Sequence, residues 1–277
     1  MDYIEKLRES ANGCGNILCM GLDPVAEAMP DKYKSNWTLG YFEALFKGMQ
    51  NKKLIPAAFK PNFGFFFPDG LLVLRELIPL VSQYFPNAPI ILDYKAGDVS
   101  QTAEMYARGA FCKLGVDAVT VNPFAGEEGL IPFAKYSKLG RGTYVWNLPS
   151  NPGAGFVHSR EDYLKIASLI EKISSESPGM GAVLGATQSI MGDFESLVDF
   201  YSRENVPLLI PGIGAQGGSA ERVLEILNSK DYDLRLVRVN SSSGLTHPWY
   251  KTGKAPDNWL DCCLSNIREL TKELSIK

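Results

Sequence analysis

Pro89-Ile90-Ile91-Leu92-Asp93-Tyr94-Lys95-Ala96-Gly97-Asp98 opens as a strand and closes as a turn. Its first four residues are a short apolar run, and strand side chains alternate between faces, so Ile91, Asp93 and Lys95 share one face. Two opposite charges therefore project side by side. Gly97 lets the chain turn, and Asp98 arrives just before a stretch of helical character over 102–107. Three charged groups gather where a strand ends, which is where parallel α/β proteins place their chemistry. Spacing alone is equally compatible with a structural ion-pair cluster closing the end of a sheet.

The flanking sequence repeats the same unit. A helix over 2–11 precedes a first strand over 16–23 that ends in Asp23, with Pro24 stopping it. A helix over 38–51 follows, then a second strand over 55–62 ending in Lys60 and Asn62, and a helix over 70–85. The quoted segment is strand three, followed by a helix to about 114. Strands four to eight are expected over 117–122, 143–148, 181–187, 207–213 and 234–240. Helical segments lie near 127–138, 161–175, 191–204 and 219–228, with a last one over 258–274.

Strands that alternate with helices pair in parallel, and eight units in 277 residues favour a closed (β/α)8 TIM barrel with an N-terminal helix over an open doubly wound sheet. No shift of composition or linker divides the chain, so residues 1–277 are expected to form one α/β domain. The polar residues at strand ends, Asp23, Lys60, Asn62, Asp93, Lys95, Asn122, Asn147, Thr187 and Asn240, are then expected to line one mouth.

Composition narrows the ligand. The chain is 45% hydrophobic and 21% charged with a net charge of −3, which argues against the basic surface that nucleic acid requires. The five cysteines, Cys14, Cys19, Cys112, Cys262 and Cys263, fit neither a zinc site nor a disulfide framework, and read as reduced thiols. No apolar run approaches the ~18 residues of a membrane span, and the N-terminus lacks the basic-then-apolar order of a signal peptide. A cytoplasmic protein with a small-molecule ligand is expected.

Gly212-Ile213-Gly214-Ala215-Gln216-Gly217 matches a dinucleotide-binding glycine pattern, but strand eight ends in Val239-Asn240-Ser241, with no acid to hold a ribose. Glycine-rich backbone ahead of a helix can still bind an anion, and barrels often seat a phosphate on the loops after strands seven and eight. A phosphorylated small molecule fits that position; a tight turn made by the glycines is the alternative.

At this point the residues resemble a known family. Asp93-Tyr94-Lys95-Ala96-Gly97-Asp98 with Thr102 is similar to the Asp-x-Lys-x-x-Asp-x-x-x-Thr signature of orotidine 5'-phosphate decarboxylase. Gly21-Leu22-Asp23, Phe59-Lys60-Pro61-Asn62, Thr120-Val121-Asn122-Pro123, Ser150-Asn151-Pro152-Gly153, Gly185-Ala186-Thr187 and Pro211 to Gly218 resemble its longer-chain bacterial and protist branch, in order over about 17–244. The resemblance implies decarboxylation of orotidine 5'-monophosphate to uridine 5'-monophosphate without cofactor or metal, in de novo pyrimidine synthesis. The family's catalytic array falls on Lys60, Asp93, Lys95 and Asp98. The family works as a homodimer with shared sites, so Asp98 and Thr102 would serve the partner's site. Asp23 and Lys60 would hold ribose hydroxyls and Ser150 the pyrimidine, and Asn62, Ser243 and Gly244 are further candidate substrate-binding residues. Gln216 and the backbone of Gly214 and Gly217 would hold the phosphate.

Chemistry supports the array. Loss of CO2 leaves an electron pair on a ring carbon, which needs a neighbouring cation and then a proton, and Lys95 can supply both. Metal-dependent sugar-phosphate barrels that share Asp-x-Lys-x-x-Asp are the enzymatic alternative, and a non-catalytic nucleotide-binding relative is the other. The second gains weight from one departure: where the family reads Asn-Ser-Ser-Arg-Gly, this chain has Asn240-Ser241-Ser242-Ser243-Gly244. Ser243 offers no charge and no bidentate fork to a phosphate. Arg238, Lys251 and Lys254 are the candidate replacement cations.

Overall fold

The computed structural model describes residues 1–33, 37–68, 71–204, 206–213 and 218–276. Helix α1 (Tyr3–Cys14) is defined by its ends. Asp2 accepts from Glu5 N at 2.7 Å while Glu5 accepts from Asp2 N at 2.9 Å, and Gly15 takes φ 69 after the last turn.

Among the described residues eight strands follow: β1 (Leu18–Leu22), β2 (Ala58–Pro61), β3 (Ile91–Ala96), β4 (Ala118–Val121), β5 (Gly142–Leu148), β6 (Met180–Leu184), β7 (Leu208–Ile210) and β8 (Val237–Ser241). They run parallel in the order β2-β1-β8-β7-β6-β5-β4-β3. Bridges between Phe59 and Ile90 and between Asn62 and Asp93 join β2 to β3 and close the ring. The fold is the expected (β/α)8 barrel. Its strands carry apolar residues on their outward faces because helices pack there, where residues such as Phe42, Phe46 and Phe59 are fully buried.

Period-two alternation divides the barrel interior into a largely apolar floor and a polar upper layer. Tyr3 and Leu7 of α1 pack with Cys19, Ala58, Ile91, Ala118, Tyr144, Val183 and Leu209. Two residues further along their strands stand Gly21, Lys60, Asp93 and Thr120. A Cβ at Gly21 would overlap Ser242, so only glycine lets the loop after β8 fold across that position.

Arg238 belongs to the floor, not to the mouth. It is 0% exposed and donates to the carbonyls of Leu7 (2.7 Å), Val237 (2.8 Å) and Arg235 (3.0 Å). The guanidinium thereby ties β8 to α1, and Arg238 is removed from the candidates for a phosphate-gripping cation.

Element boundaries shift for local reasons. Residues Leu234–Leu236 form a 3-10 turn, not the start of strand eight, because the Asp233 side chain caps it by accepting from Arg235 N at 3.1 Å. Strand two starts at Ala58, past Pro56, which has no N–H for a ladder. The helix after β3, Ser100–Arg108, widens into a π-helical stretch Gly109–Leu114 and ends at Gly115 with φ 76. The expected helix start at Gly70 lies outside the described residues; the helix is seen from Leu71 to Tyr84.

Candidate active site

The C-terminal ends of the strands surround a cavity of about 500 Å³, within the usual range for a small-molecule site. Asp23, Lys60, Asn62, Asp93, Lys95, Ser150 and Ser243 all line it. Asp93 is 7% exposed and central. Lys60 Nζ lies 2.7 Å from its Oδ2 and Lys95 Nζ 2.7 Å from its Oδ1, while Thr120 Oγ1 donates to Oδ1 at 2.9 Å. Lys60 is 3% exposed, whereas the Lys95 side chain is 37% exposed and opens on the cavity.

The charges in this row stabilise one another. Burial alone would raise the Asp93 pKa, but the charges and hydrogen bonds of Lys60 and Lys95 outweigh it and hold the carboxyl well below its usual range. Burial works against charge on Lys60 too, and Asp93 with Asp23 reverses the effect, raising its pKa above the usual lysine value. Lys95 Nζ also sits 5.5 Å from the centre of the Trp146 ring, a cation–π distance.

Asp23 stands apart electrostatically. Burial raises its pKa, offset only in part by Lys60 and a hydrogen bond with Ser242, and its buried Oδ1 has no hydrogen-bond partner. That oxygen is a ready acceptor for a ligand hydroxyl. Asn62 Oδ1 accepts from Gly64 N at 3.1 Å and so caps the short helical turn Phe63–Phe66. Ser150 reaches the cavity because Gly185 gives it room: a Cβ there would lie 2.7 Å from Ser150 Cα.

Other expected residues lie elsewhere. The Asp98 carboxylate accepts from Val99 N at 2.7 Å and does not line the cavity, and Thr102 is exposed on helix Ser100–Arg108. Gly244 does not line it either; its carbonyl accepts from Asn266 at 2.8 Å. Gly214, Gln216 and Gly217 lie outside the described residues. Asn147 faces outward and donates to Tyr201 at 2.8 Å, leaving Trp146 as the residue of β5 at the mouth. Asn122 caps the turn after β4 by accepting from Phe124 N at 2.9 Å and borders a neighbouring cavity. Thr187 donates to the Ser150 carbonyl at 3.2 Å. Of the two other candidate cations, Lys251 lines the cavity beside Ser241, Ser242 and Ser243, whereas Lys254 is exposed and does not. Among the described residues no three His, Cys, Asp or Glu are grouped as a metal site.

A model of the Orotidine 5'-phosphate decarboxylase / HUMPS family matches residues 16–231. The chain belongs to this family. The protein named orotidine 5'-phosphate decarboxylase from Roseiflexus castenholzii is 34% identical over 249 residues, which cover 87% of this chain and 88% of that protein. One of the same name from Cellvibrio japonicus is 33% identical, over 83% of this chain and 85% of its own. The solved structure of Leishmania donovani OMP decarboxylase superposes with a TM-score of 0.74 at 27% identity, covering 99% of this chain and 98% of that one.

Among the lining residues of this orotidine 5'-phosphate decarboxylase family member to which sequence assigns no role are Thr120, Trp146 and His247. Counting back by two from Asn122 places Thr120 inward, but nothing in the spacing points to His247, which follows the last strand. His247 is 2% exposed, and burial brings its pKa down from 6.5 to about 4. Its Nδ1 lies 2.8 Å from Thr246 Oγ1, whose proton is directed to the Ser242 carbonyl at 3.2 Å, so the neutral ring donates through Nδ1–H.

A buried base of this kind is protonated more readily in the unfolded chain. Its contribution to stability is therefore intact above pH 6.5 and is lost as pH falls towards about 4, by up to roughly 3 kcal/mol. Urea melts of the unliganded protein and of His247→Asn should show a stability gap that narrows across this range. A gap that stays constant would mean that His247 binds its proton equally well in both states.

Proposed function

We propose that this protein converts orotidine 5'-monophosphate to uridine 5'-monophosphate in de novo pyrimidine synthesis, without a cofactor. The observation that carries the reading is the buried Lys60–Asp93–Lys95 row opening into the cavity. In this reading the pyrimidine lies against Ser150 with its carboxylate near Asp93. Two unit charges 4 Å apart repel by about 4 kcal/mol at an effective dielectric of ~20, and departure of CO2 relieves that repulsion. The electron pair left on the ring carbon is stabilised by the Lys95 ammonium, which then delivers a proton to it. Lys60 keeps Asp93 ionised and, with Asp23 and Asn62, holds the ribose.

The chemistry of such a row has a test that separates all three readings. Absorbance assays with orotidine 5'-monophosphate and a chelator should show conversion that falls at least ~10²-fold in Lys95→Ala. Conversion abolished by the chelator would favour a metal-dependent lyase. Binding of nucleotide without conversion would favour a non-catalytic relative.

The reading includes a homodimer in which Asp98 and Thr102 complete the partner's site. In support, Val99, Met105 and Tyr106 are 50%, 51% and 44% exposed on the same flank. Met105 and Ile131 there line a shallow groove between helices Ser100–Arg108 and Glu127–Ala134. Apolar side chains grouped in this way favour contact with another chain over contact with water. Co-refolding Lys95→Ala with Asp98→Ala, each inactive alone, should restore about a quarter of the sites by random assortment. No recovery in verified mixed dimers would place Asp98 in its own chain's site.

Lys251 takes the place of the family's arginine in this reading, with Gln216, Gly214, Gly217 and the serines at 241–243 supplying neutral donors. Lys251→Ala should raise KM about tenfold or more with kcat little changed, as loss of uniform binding does. Ser243→Arg in that background should recover the loss. An unchanged KM in Lys251→Ala would show that another group holds the phosphate.

A further inference from the structure

Strand β3 departs from regular pairing where the charged row sits. Leu92 pairs with Val119 and Ala96 with Val121, so Asp93, Tyr94 and Lys95 together stand opposite Thr120 alone. Lys95 adopts φ 44, in the left-handed region that non-glycine residues occupy at a cost of roughly 1–3 kcal/mol. Lys53, Ser100 and Asp231 share that sign of φ, but they lie in turns or at a helix start; among the described residues, Lys95 is the one within a strand. Strain of this kind persists only where the surroundings over-determine it.

The backbone N–H of this residue is held by one side-chain hydroxyl. Lys95 N–H donates to Thr120 Oγ1 at 3.0 Å, in place of a β4 backbone carbonyl. The hydroxyl has a single proton, and it goes to Asp93 Oδ1 at 2.9 Å, the oxygen that Lys95 Nζ meets at 2.7 Å. A closed ring results: Lys95 backbone, Thr120 hydroxyl, Asp93 carboxylate, Lys95 ammonium. Thr120 is 1% exposed, so no bulk water competes for either bond.

We propose that Thr120 is a positioning residue, whose hydroxyl holds the strained Lys95 backbone and the Asp93 rotamer in register so that the ammonium stands at the reacting carbon. The link to catalysis rests on the decarboxylase reading above; the link to the Lys95 backbone does not. A misplacement of about 1 Å can cost on the order of 10²-fold in rate.

The experiment compares Thr120→Val and Thr120→Ala, which remove the hydroxyl, with Thr120→Ser, which keeps it. Decarboxylation kinetics are read together with hydrogen exchange at the Lys95 amide by NMR. The hydroxyl-free variants should lose about 10- to 100-fold in kcat with KM within about threefold, and Lys95 amide exchange should rise at least about tenfold. Thr120→Ser should stay near the parent in both. The alanine variant decides the matter if the valine variant does not fold. Unchanged kcat, a loss shared equally by Thr120→Ser, or Lys95 amide protection that survives removal of the hydroxyl would each overturn the proposal. If the parent protein does not decarboxylate the nucleotide, the exchange measurement alone decides, so failure of the proposed activity and failure of this role give different results.

Discussion

Keeping one carboxylate ionised inside the barrel is the constraint on which the mouth depends. At 7% exposure an isolated Asp93 would take up a proton, and Lys60 at 3% exposure would shed one. Each is held in its charged form by the other, with Lys95 on the second carboxylate oxygen. Removing one member of such a buried pair costs about 3–5 kcal/mol, because it leaves an uncompensated charge behind. The charges must therefore be carried by elements that cannot drift apart. Strands β2 and β3 meet that need, since the bridge between Asn62 and Asp93 locks them together one step from the ion pair.

Much of this was legible in the residues because strand side chains alternate strictly. Asp23, Lys60, Asp93 and Asn240 all face the cavity as their positions at strand ends imply. Alternation also explains the failures, since it assigns faces only once the register is known. The strand-end pattern puts Asn147 in the mouth, yet its neighbour Trp146 stands there, a difference of one residue that reverses the face. Arg238 shares a face with Asn240, as parity requires, yet lies a layer below it. Depth within a barrel is set by where each strand begins relative to its neighbours, and single-strand patterns do not carry that information. The irregularity in β3 belongs to the same class, for it is a relation between two strands.

Asp98 and Thr102 illustrate a different limit. Their motif was evident, but a motif does not state which chain's cavity its residues serve. In a single chain Asp98 satisfies itself on Val99 N, at the edge of a flank with exposed apolar side chains. The loop after β8 is similar in kind: Ser243 stands where the family reads arginine, which the sequence shows, while the proximity of Lys251 depends on how the chain folds after β8.

The guanidinium at the barrel floor also bears on how the chain folds. Arg238 satisfies its donors partly on Leu7, 231 positions earlier, so the first helix and the last strand must meet before that charge has a stable place. A chain that had built seven strands would leave the guanidinium to water, or bury it with more donors unpaired than the Nε that lacks a partner in the folded protein. Docking of the N-terminal helix and placement of the last strand are thereby coupled through one side chain.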